Sequence, residues 1–296
     1  MVTVAMWAVN PLFVRHFASY YNVWTQNAFR YLCATAILLV FVAATGQVRY
    51  RLTRAQWHKL MLVAAVNLIM QTCYAATYTY IYPAAGSLVT RINVVFTIAL
   101  SFAFFHDERG VIRSPRFLAG AALALLGVVA VIVGRDPALL AKLYADEERF
   151  WIGVAFAIGL AFWGSVYSLA IKHAVRDIPP MIAFTHVSWM TAIGLCALMF
   201  SQGGVADLWR QPMAPLGLMA LTALLSIVIA HVCYYAALRD LKAVITVSMM
   251  QLTPVFTCIL SAIVYRDTLS PLQIAGGVLV ISGAWLAALA QAKAKT

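Results

Sequence analysis

Val95-Phe96-Thr97-Ile98-Ala99-Leu100-Ser101, followed by Asp107, returns in the second half of the chain as Val255-Phe256-Thr257-Cys258-Ile259-Leu260-Ser261, followed by Asp267. The same offset carries Cys73-Tyr74 and Ala76 onto Cys233-Tyr234 and Ala236. A slightly shorter one carries Trp7 onto Trp163, Gly120 onto Gly276 and Gly127 onto Gly283. The chain is a sequence doubled on itself, and each copy is almost wholly apolar. Tandem copies with an odd number of membrane spans insert in opposite orientations, an arrangement typical of secondary transporters.

Composition points the same way. Of 296 residues, 64% are hydrophobic and 10% charged, against about 25% charged in soluble domains. The apolar runs are long enough to cross a hydrocarbon core, which takes about 20 helical residues. The net charge of +11 does not imply nucleic acid, because the basic residues sit in short loops where they set membrane orientation. Cys33, Cys73, Cys196, Cys233 and Cys258 fall inside apolar runs at unrelated spacings, as small buried hydrophobes do; neither a metal site nor a disulfide framework is expected. The chain enters an apolar run at once, so no cleaved signal peptide is expected.

Helices are predicted over 2–18, 24–45, 57–79, 83–105, 116–134, 150–171, 179–200, 213–237, 243–265 and 271–290. Breakers mark the joints: Gly46, Pro83, Gly134 with Pro137, Pro179-Pro180, Pro212 and Pro271. The expected fold is an all-α integral membrane protein of ten transmembrane helices in two inverted five-helix repeats. Residues 1–134 form the first repeat, 135–149 a periplasmic connecting loop and 150–296 the second repeat. With both termini cytoplasmic, the inner loops and tail hold Arg49, Arg51, Arg54, Lys59, Arg109, Arg113, Arg116, Lys172, Arg176, Arg239, Lys242, Lys293 and Lys295. The outer loops hold fewer: Arg15, Arg135, Lys142, Arg149, Arg210 and Arg266. That is a positive-inside bias.

Two basic residues remain at membrane depth, Arg30 and Arg91, and every acidic residue falls in a loop or at a helix end. A buried charge costs at least about 2.5–3.5 kcal/mol on insertion scales, so such residues face a cavity or a partner. Arg91 lies near mid-span beside Thr90 and Asn93, where lining a pathway and a structural role are evenly balanced. Arg30 lies nearer the outer end of its helix, where snorkelling or a structural bond suits it better. A proton-coupled pump of cationic drugs would want a buried Asp or Glu, and none is present. His186 and His231 are the groups left for any proton coupling, although a lone membrane histidine is more often a packing residue.

Tyr74, Tyr78 and Tyr82 follow i, i+4, i+8 along helix 3 and the loop after it. Trp7 and Trp163 occupy equivalent central positions, and Tyr234 and Tyr235 stand one turn from His231. The interfacial aromatic belt accounts for Tyr20, Tyr21, Tyr80, Tyr82 and Trp209; it does not account for a mid-span tryptophan, which faces either a cavity or a packed neighbour. Pro11 removes the hydrogen bond to the carbonyl of Trp7, and Pro254 the one to Met250. Freed carbonyls at this depth must be met by protein, water or substrate. Asn10, Gln71, Asn93, Ser248, Gln251 and Thr253 add polar groups on the same helices. Helices 5 and 10 are apolar with glycines seven apart, the pattern of a tight structural contact, at the periphery or in a dimer interface.

Taken together, Trp7-Ala8 and Trp163-Gly164, Arg30-Tyr31 with Ala34, the run Phe104-Phe105-His106-Asp107-Glu108-Arg109, Pro254-Val255-Phe256 and the two glycine pairs resemble the EamA-type branch of the drug/metabolite transporter superfamily. The resemblance spans essentially the whole chain and is strongest toward YddG-type exporters of aromatic amino acids. It departs from the family where Val94 stands opposite Pro254, and where Arg266-Asp267 replaces a commoner Glu-Arg pair. The resemblance implies an inner-membrane secondary transporter, not an enzyme, without cofactor or metal, exporting amino acids, aromatic ones above all, by alternating access around a midplane cavity. Its implied partners are a small-molecule substrate and the lipid bilayer, with the chain a monomer or weak homodimer.

In that reading Trp163, Tyr78 and Trp7 supply ring surface, with Tyr82, Tyr234 and His231 adding to the lining. Asn10, Asn93 and Gln251 bind the polar part of the substrate, and Arg91 attracts its carboxylate. Gly164, Pro254 and Pro11 act as hinges. A transporter of phosphate-bearing metabolites, such as a nucleotide sugar or sugar phosphate, and a non-transporting membrane scaffold stand as the rival readings.

Overall fold

The computed structural model describes residues 1–104, 114–134, 147–174, 178–202, 204–210, 213–240, 250, 252–266 and 269–293. Among them the chain is helical throughout and contains no strand. In chain order the helices are α1 (Val2–Phe17), α2 (Val23–Ala44), α3 (Arg54–Tyr80), α4 (Pro83–Val89), α5 (Asn93–Phe104), α6 (Pro115–Val133), α7 (Glu147–Ala174), α8 (Pro180–Ser201), α9 (Val205–Arg210), α10 (Met213–Thr222), α11 (Ala230–Asp240), α12 (Leu252–Tyr265) and α13 (Pro271–Lys293).

Local chemistry sets the ends. The Asn22 side chain caps α2 by accepting from the Thr25 amide at 2.8 Å. Ser114 caps α6 in the same way, with Pro115 in the first turn. Ahead of α13, Ser270 and Gln273 exchange reciprocal bonds, a capping box, with Pro271 inside the first turn. Gly46, just past α2, adopts a φ of +68°, the left-handed conformation that ends helices and that glycine takes without a Cβ penalty.

The structure differs from the sequence expectation in three places. The helix expected over 83–105 is interrupted by a 3₁₀ turn at Thr90–Ile92. The helix expected over 213–237 is wound as a π-helix at Ala223–Ile229. α7 starts at Glu147, inside the segment expected as connecting loop, and 135–146 lie outside the described residues. As expected over 2–18, α1 runs through Pro11 without a break. Among the described residues, five helical stretches are long and apolar enough to cross a membrane: Val23–Ala44, Arg54–Tyr80, Glu148–Ala174, Pro180–Ser201 and Met213–Ala237. Shorter apolar helices accompany them.

The chain forms two compact units, and each draws on both sequence repeats. Unit 1 comprises Met1–Ala75 and Tyr167–Leu241; unit 2 comprises Ala76–Val166 and Lys242–Thr296. Unit 1 buries polar groups among its apolar ones: Asn10, Gln26, Asn27, Arg30, Asn67 and Gln71 are inside, while Leu39, Val40, Phe41, Met61, Leu62 and Ile193 are exposed. A chain in water would do the reverse; apolar surface outside and polar groups inside is the pattern a lipid solvent selects.

Unit 2 centres on an apolar core of Ile81, Leu88, Val89, Ile92, Val128, Val131, Phe150, Val154 and Val280. In it, α6 and α13 lie glycine face to glycine face. A Cβ on Gly127 would come within 2.6 Å of the Gly276 carbonyl, and one on Gly120 within 2.7 Å of the Gly283 carbonyl. The glycine pairs therefore serve contact between these two helices, where close backbone approach substitutes for the hydrophobic drive that lipid cannot supply.

Candidate functional site

Within unit 1, α1 presents Trp7 and Asn10 nearly one turn apart, hence on one face. Trp7 meets His231 edge-on at 5.1 Å and lies tilted against Tyr234 at 5.0 Å. His231 in turn stacks flat on Phe184 of α8 at 4.7 Å, and Phe184 meets the ring of Tyr235 at 5.3 Å. Four rings and an imidazole thus form one continuous, largely buried aromatic cluster drawn from α1, α8 and α11. The π-helical stretch that leads into α11 helps to seat it. The indole N–H of Trp7 donates to the Ser226 carbonyl at 3.2 Å, and the Thr3 hydroxyl to the Ala230 carbonyl at 3.3 Å. Wider winding loosens the regular backbone ladder there and leaves acceptors to neighbouring donors.

Behind the rings lies a buried polar network. Arg30 is 2% exposed, and its guanidinium donates to Asn10 Oδ1. It does not snorkel: the side chain stays inside the unit, close to the hydroxyls of Tyr31 and Tyr74. Tyr31 accepts from Asn67 Nδ2 at 3.1 Å, and the same amide donates to Thr191 Oγ1 at 3.0 Å. Asn27 Nδ2 donates to the Gln71 carbonyl at 2.7 Å, tying α2 to α3. The hydroxyls of Tyr167 and Tyr235 pair at 2.8 Å, and those of Ser168 and Tyr234 at 3.2 Å. Each bond joins two or more helices, so the network fixes the ring surface as well as lining it.

In unit 2, Arg91 sits on the 3₁₀ turn and donates from Nη1 to the Met250 carbonyl at 3.1 Å. That carbonyl is the one Pro254 leaves without an amide partner, so the guanidinium supplies the missing donor. Ser165 Oγ lies 2.8 Å from the Asn93 carbonyl and 2.8 Å from that of Ala161, serving both. Tyr78 is within reach of Thr90 and Arg91, and its ring packs against Gly86, where a Cβ would stand 2.9 Å from Cε1. Trp163 is half-buried and meets Phe162 edge-on at 5.3 Å.

Trp7, Asn10, Tyr234 and His231, expected from the sequence, are therefore brought together in unit 1, with Pro11 on the same helix. Tyr78, Tyr82, Arg91, Asn93, Trp163, Gly164 and Pro254 belong to unit 2. There Tyr82 lies beyond the last turn of α3 and faces the ring of Tyr265 at 6.0 Å, and Pro254 lies within α12. Gln251 lies outside the described residues. Sequence reasoning did not single out Asn67, Tyr167 or Phe184, and Tyr31 entered only through the family resemblance. Asn67 carried a signal, an amide in an otherwise apolar run; Phe184 carried none.

Similarity to known proteins agrees with this architecture. The chain is 20% identical over 270 residues to the uncharacterized transporter YyaM of Bacillus subtilis (strain 168), covering 91% of this chain and 85% of the relative. It is 22% identical over 300 residues to an uncharacterized transporter of Haemophilus influenzae (strain ATCC 51907 / DSM 11121 / KW20 / Rd), covering 98% and 93%. One solved crystal structure superposes over 100% of this chain and 96% of its own, with a TM-score of 0.67 and 16% identity, a likeness of fold alone. Residues 1–133 and 151–289 each match the EamA-like transporter family; the chain belongs to that family and is a membrane transporter.

Proposed function

We propose that this transporter exports amino acids, aromatic ones above all, across the bacterial inner membrane. In this reading ten spanning helices form two inverted five-helix repeats, both termini lie in the cytoplasm, and transport proceeds by alternating access. The observation that carries the proposal is in unit 1: a ring surface of Trp7, His231 and Tyr234 stands beside the Asn10–Arg30 pair. An aromatic amino acid needs both parts, an apolar face for its ring and buried polar groups for its backbone. Ring pairs contribute about 0.5–1.5 kcal/mol each beyond area burial. In unit 2, Arg91, Asn93, Tyr78, Tyr82, Trp163 and Gln251 are the further substrate-binding residues of this reading, with Gly164, Pro254 and Pro11 as hinges.

Counterflow of labelled phenylalanine into proteoliposomes tests the reading. Wild-type protein should carry it, and Trp7→Ala, Trp163→Ala and Arg91→Ala should each slow it. Wild-type flux in all three variants would remove these residues from the mechanism. Inhibition by phosphate esters but not by amino acids would favour the phosphate-bearing substrate. Absence of flux for every solute would favour the scaffold.

A further inference from the structure

Gln26 and Arg30 lie four residues apart on α2, so they share one face of that helix. Both are buried, at 0% and 2% exposure. Neither Nε2 nor Oε1 of Gln26 has a hydrogen-bond partner, and neither does Nε of Arg30. The remaining α2 amides and hydroxyls on the buried side are spent: Asn27 on α3, Tyr31 on Asn67 and Thr35 on Ser188 at 2.9 Å. The orphaned atoms are thus confined to one stripe of an otherwise satisfied helix.

Chance does not leave such a stripe. Buried polar atoms are almost always paired, and a native exception calls for a specific cause. Arg30 adds a sharper demand, because it is a full positive charge inside the unit whose one resolved bond goes to a neutral amide, Asn10. No carboxylate among the described residues lies close enough to perturb it; its electrostatic neighbours are Tyr74 and Tyr31. Two orphaned N–H donors on one face, one of them cationic, match a planar anion with two acceptor oxygens. The orphaned Gln26 Oε1 matches a donor carried by the same molecule, such as an ammonium group.

We propose that Gln26 and Arg30, steadied by Asn10, form the carboxylate subsite of unit 1, and that transport requires an acidic group on the solute. This rests on the amino-acid reading above and deepens it. It gives Arg30 the role of anchor in unit 1; Arg91, in unit 2, likewise makes one bond, to the Met250 carbonyl, and keeps an unpartnered Nε.

The test is binding to purified protein in nanodiscs, read by thermal shift, with L-phenylalanine, 3-phenylpropionate, 2-phenylethylamine and inorganic phosphate as probes. The two carboxylates should bind at least tenfold more tightly than the amine. Arg30→Gln should weaken phenylalanine at least tenfold and leave the amine unchanged, with Arg30→Lys retaining part of the affinity, whereas Gln26→Leu should weaken phenylalanine at least tenfold and the amine as well. Asn10→Asp places a carboxylate beside the guanidinium; it should raise the melting temperature and abolish the response to carboxylates, which keeps the test decisive if Arg30→Gln does not fold. Wild-type carboxylate binding in a folded Arg30→Gln, or in Asn10→Asp, overturns the proposal, as does an amine bound as tightly as phenylalanine or silence toward every acid. An Arg30-dependent response to phenylpropionate or phosphate with none to amino acids upholds the subsite and overturns the amino-acid reading.

Discussion

Trp7 and Ser226 are joined by a 3.2 Å bond from the indole N–H to a backbone carbonyl of the π-helical segment. The tryptophan is thereby held at one edge while its faces remain for His231 and Tyr234. Trp7→Phe keeps a ring but removes the donor. The expected cost is about 0.5–1.5 kcal/mol of stability, the net worth of one such bond, together with slower solute flux. Thermal denaturation in detergent and counterflow measured on the same preparations check the two effects.

Asn67 is the hub of the buried network, donating to both Tyr31 and Thr191. Asn67→Leu matches its volume roughly but takes a donor from the Tyr31 and Thr191 hydroxyls and the acceptor from Gln71 Nε2, while the Thr191 hydroxyl keeps the Ala64 carbonyl. About 1–3 kcal/mol of destabilisation is expected per stranded group, so the melting temperature should fall by several degrees. The triple variant Asn67→Leu, Tyr31→Phe, Thr191→Val should recover part of the loss, because only Gln71 Nε2 is then left without its Asn67 partner.

Arg91 and Pro254 should be energetically coupled through the Met250 carbonyl. Arg91→Met alone leaves that carbonyl unmet and should cost about 1–3 kcal/mol. In a Pro254→Ala background a backbone N–H returns to position 254, and the same substitution should cost less. A double-mutant cycle on denaturation midpoints measures the difference; equal costs in both backgrounds would dissociate the two residues.

Glycines that look alike in sequence should respond in opposite directions. Gly127→Ala pushes a methyl into the Gly276 carbonyl, so a loss of about 1–3 kcal/mol is expected from overpacking. Gly217, in α10, has no neighbour within 4 Å of a built Cβ. Gly217→Ala should therefore be neutral or gain up to about 1 kcal/mol from helix propensity. Melting temperatures of the two variants decide it.

The helices themselves were legible because apolar runs, proline at first turns and glycine stops are local signals. Pro83, Pro115, Pro180 and Pro271 all fall at helix starts. The 3₁₀ turn at Thr90–Ile92 and the π-helix at Ala223–Ile229 were not legible, since no residue type there breaks a helix. Partners elsewhere stand beside these shifts: Ser165 at the Asn93 carbonyl and Trp7 at that of Ser226. Of the site, Trp7, Asn10, Tyr234 and His231 could be picked as polar or aromatic groups at depth. Arg30 was read by its height along one helix and so assigned to snorkelling or a structural bond. Its burial beside Asn10 depends on a neighbouring helix, which a single-helix reading cannot see.

The glycine faces of α6 and α13 carry one last implication. Backbones so closely meshed have no room to slide, because one residue of slippage would replace hydrogen by a side chain at every crossing. The two rods are bolted into a single girder, and whatever rearrangement moves solute through this protein must carry both together.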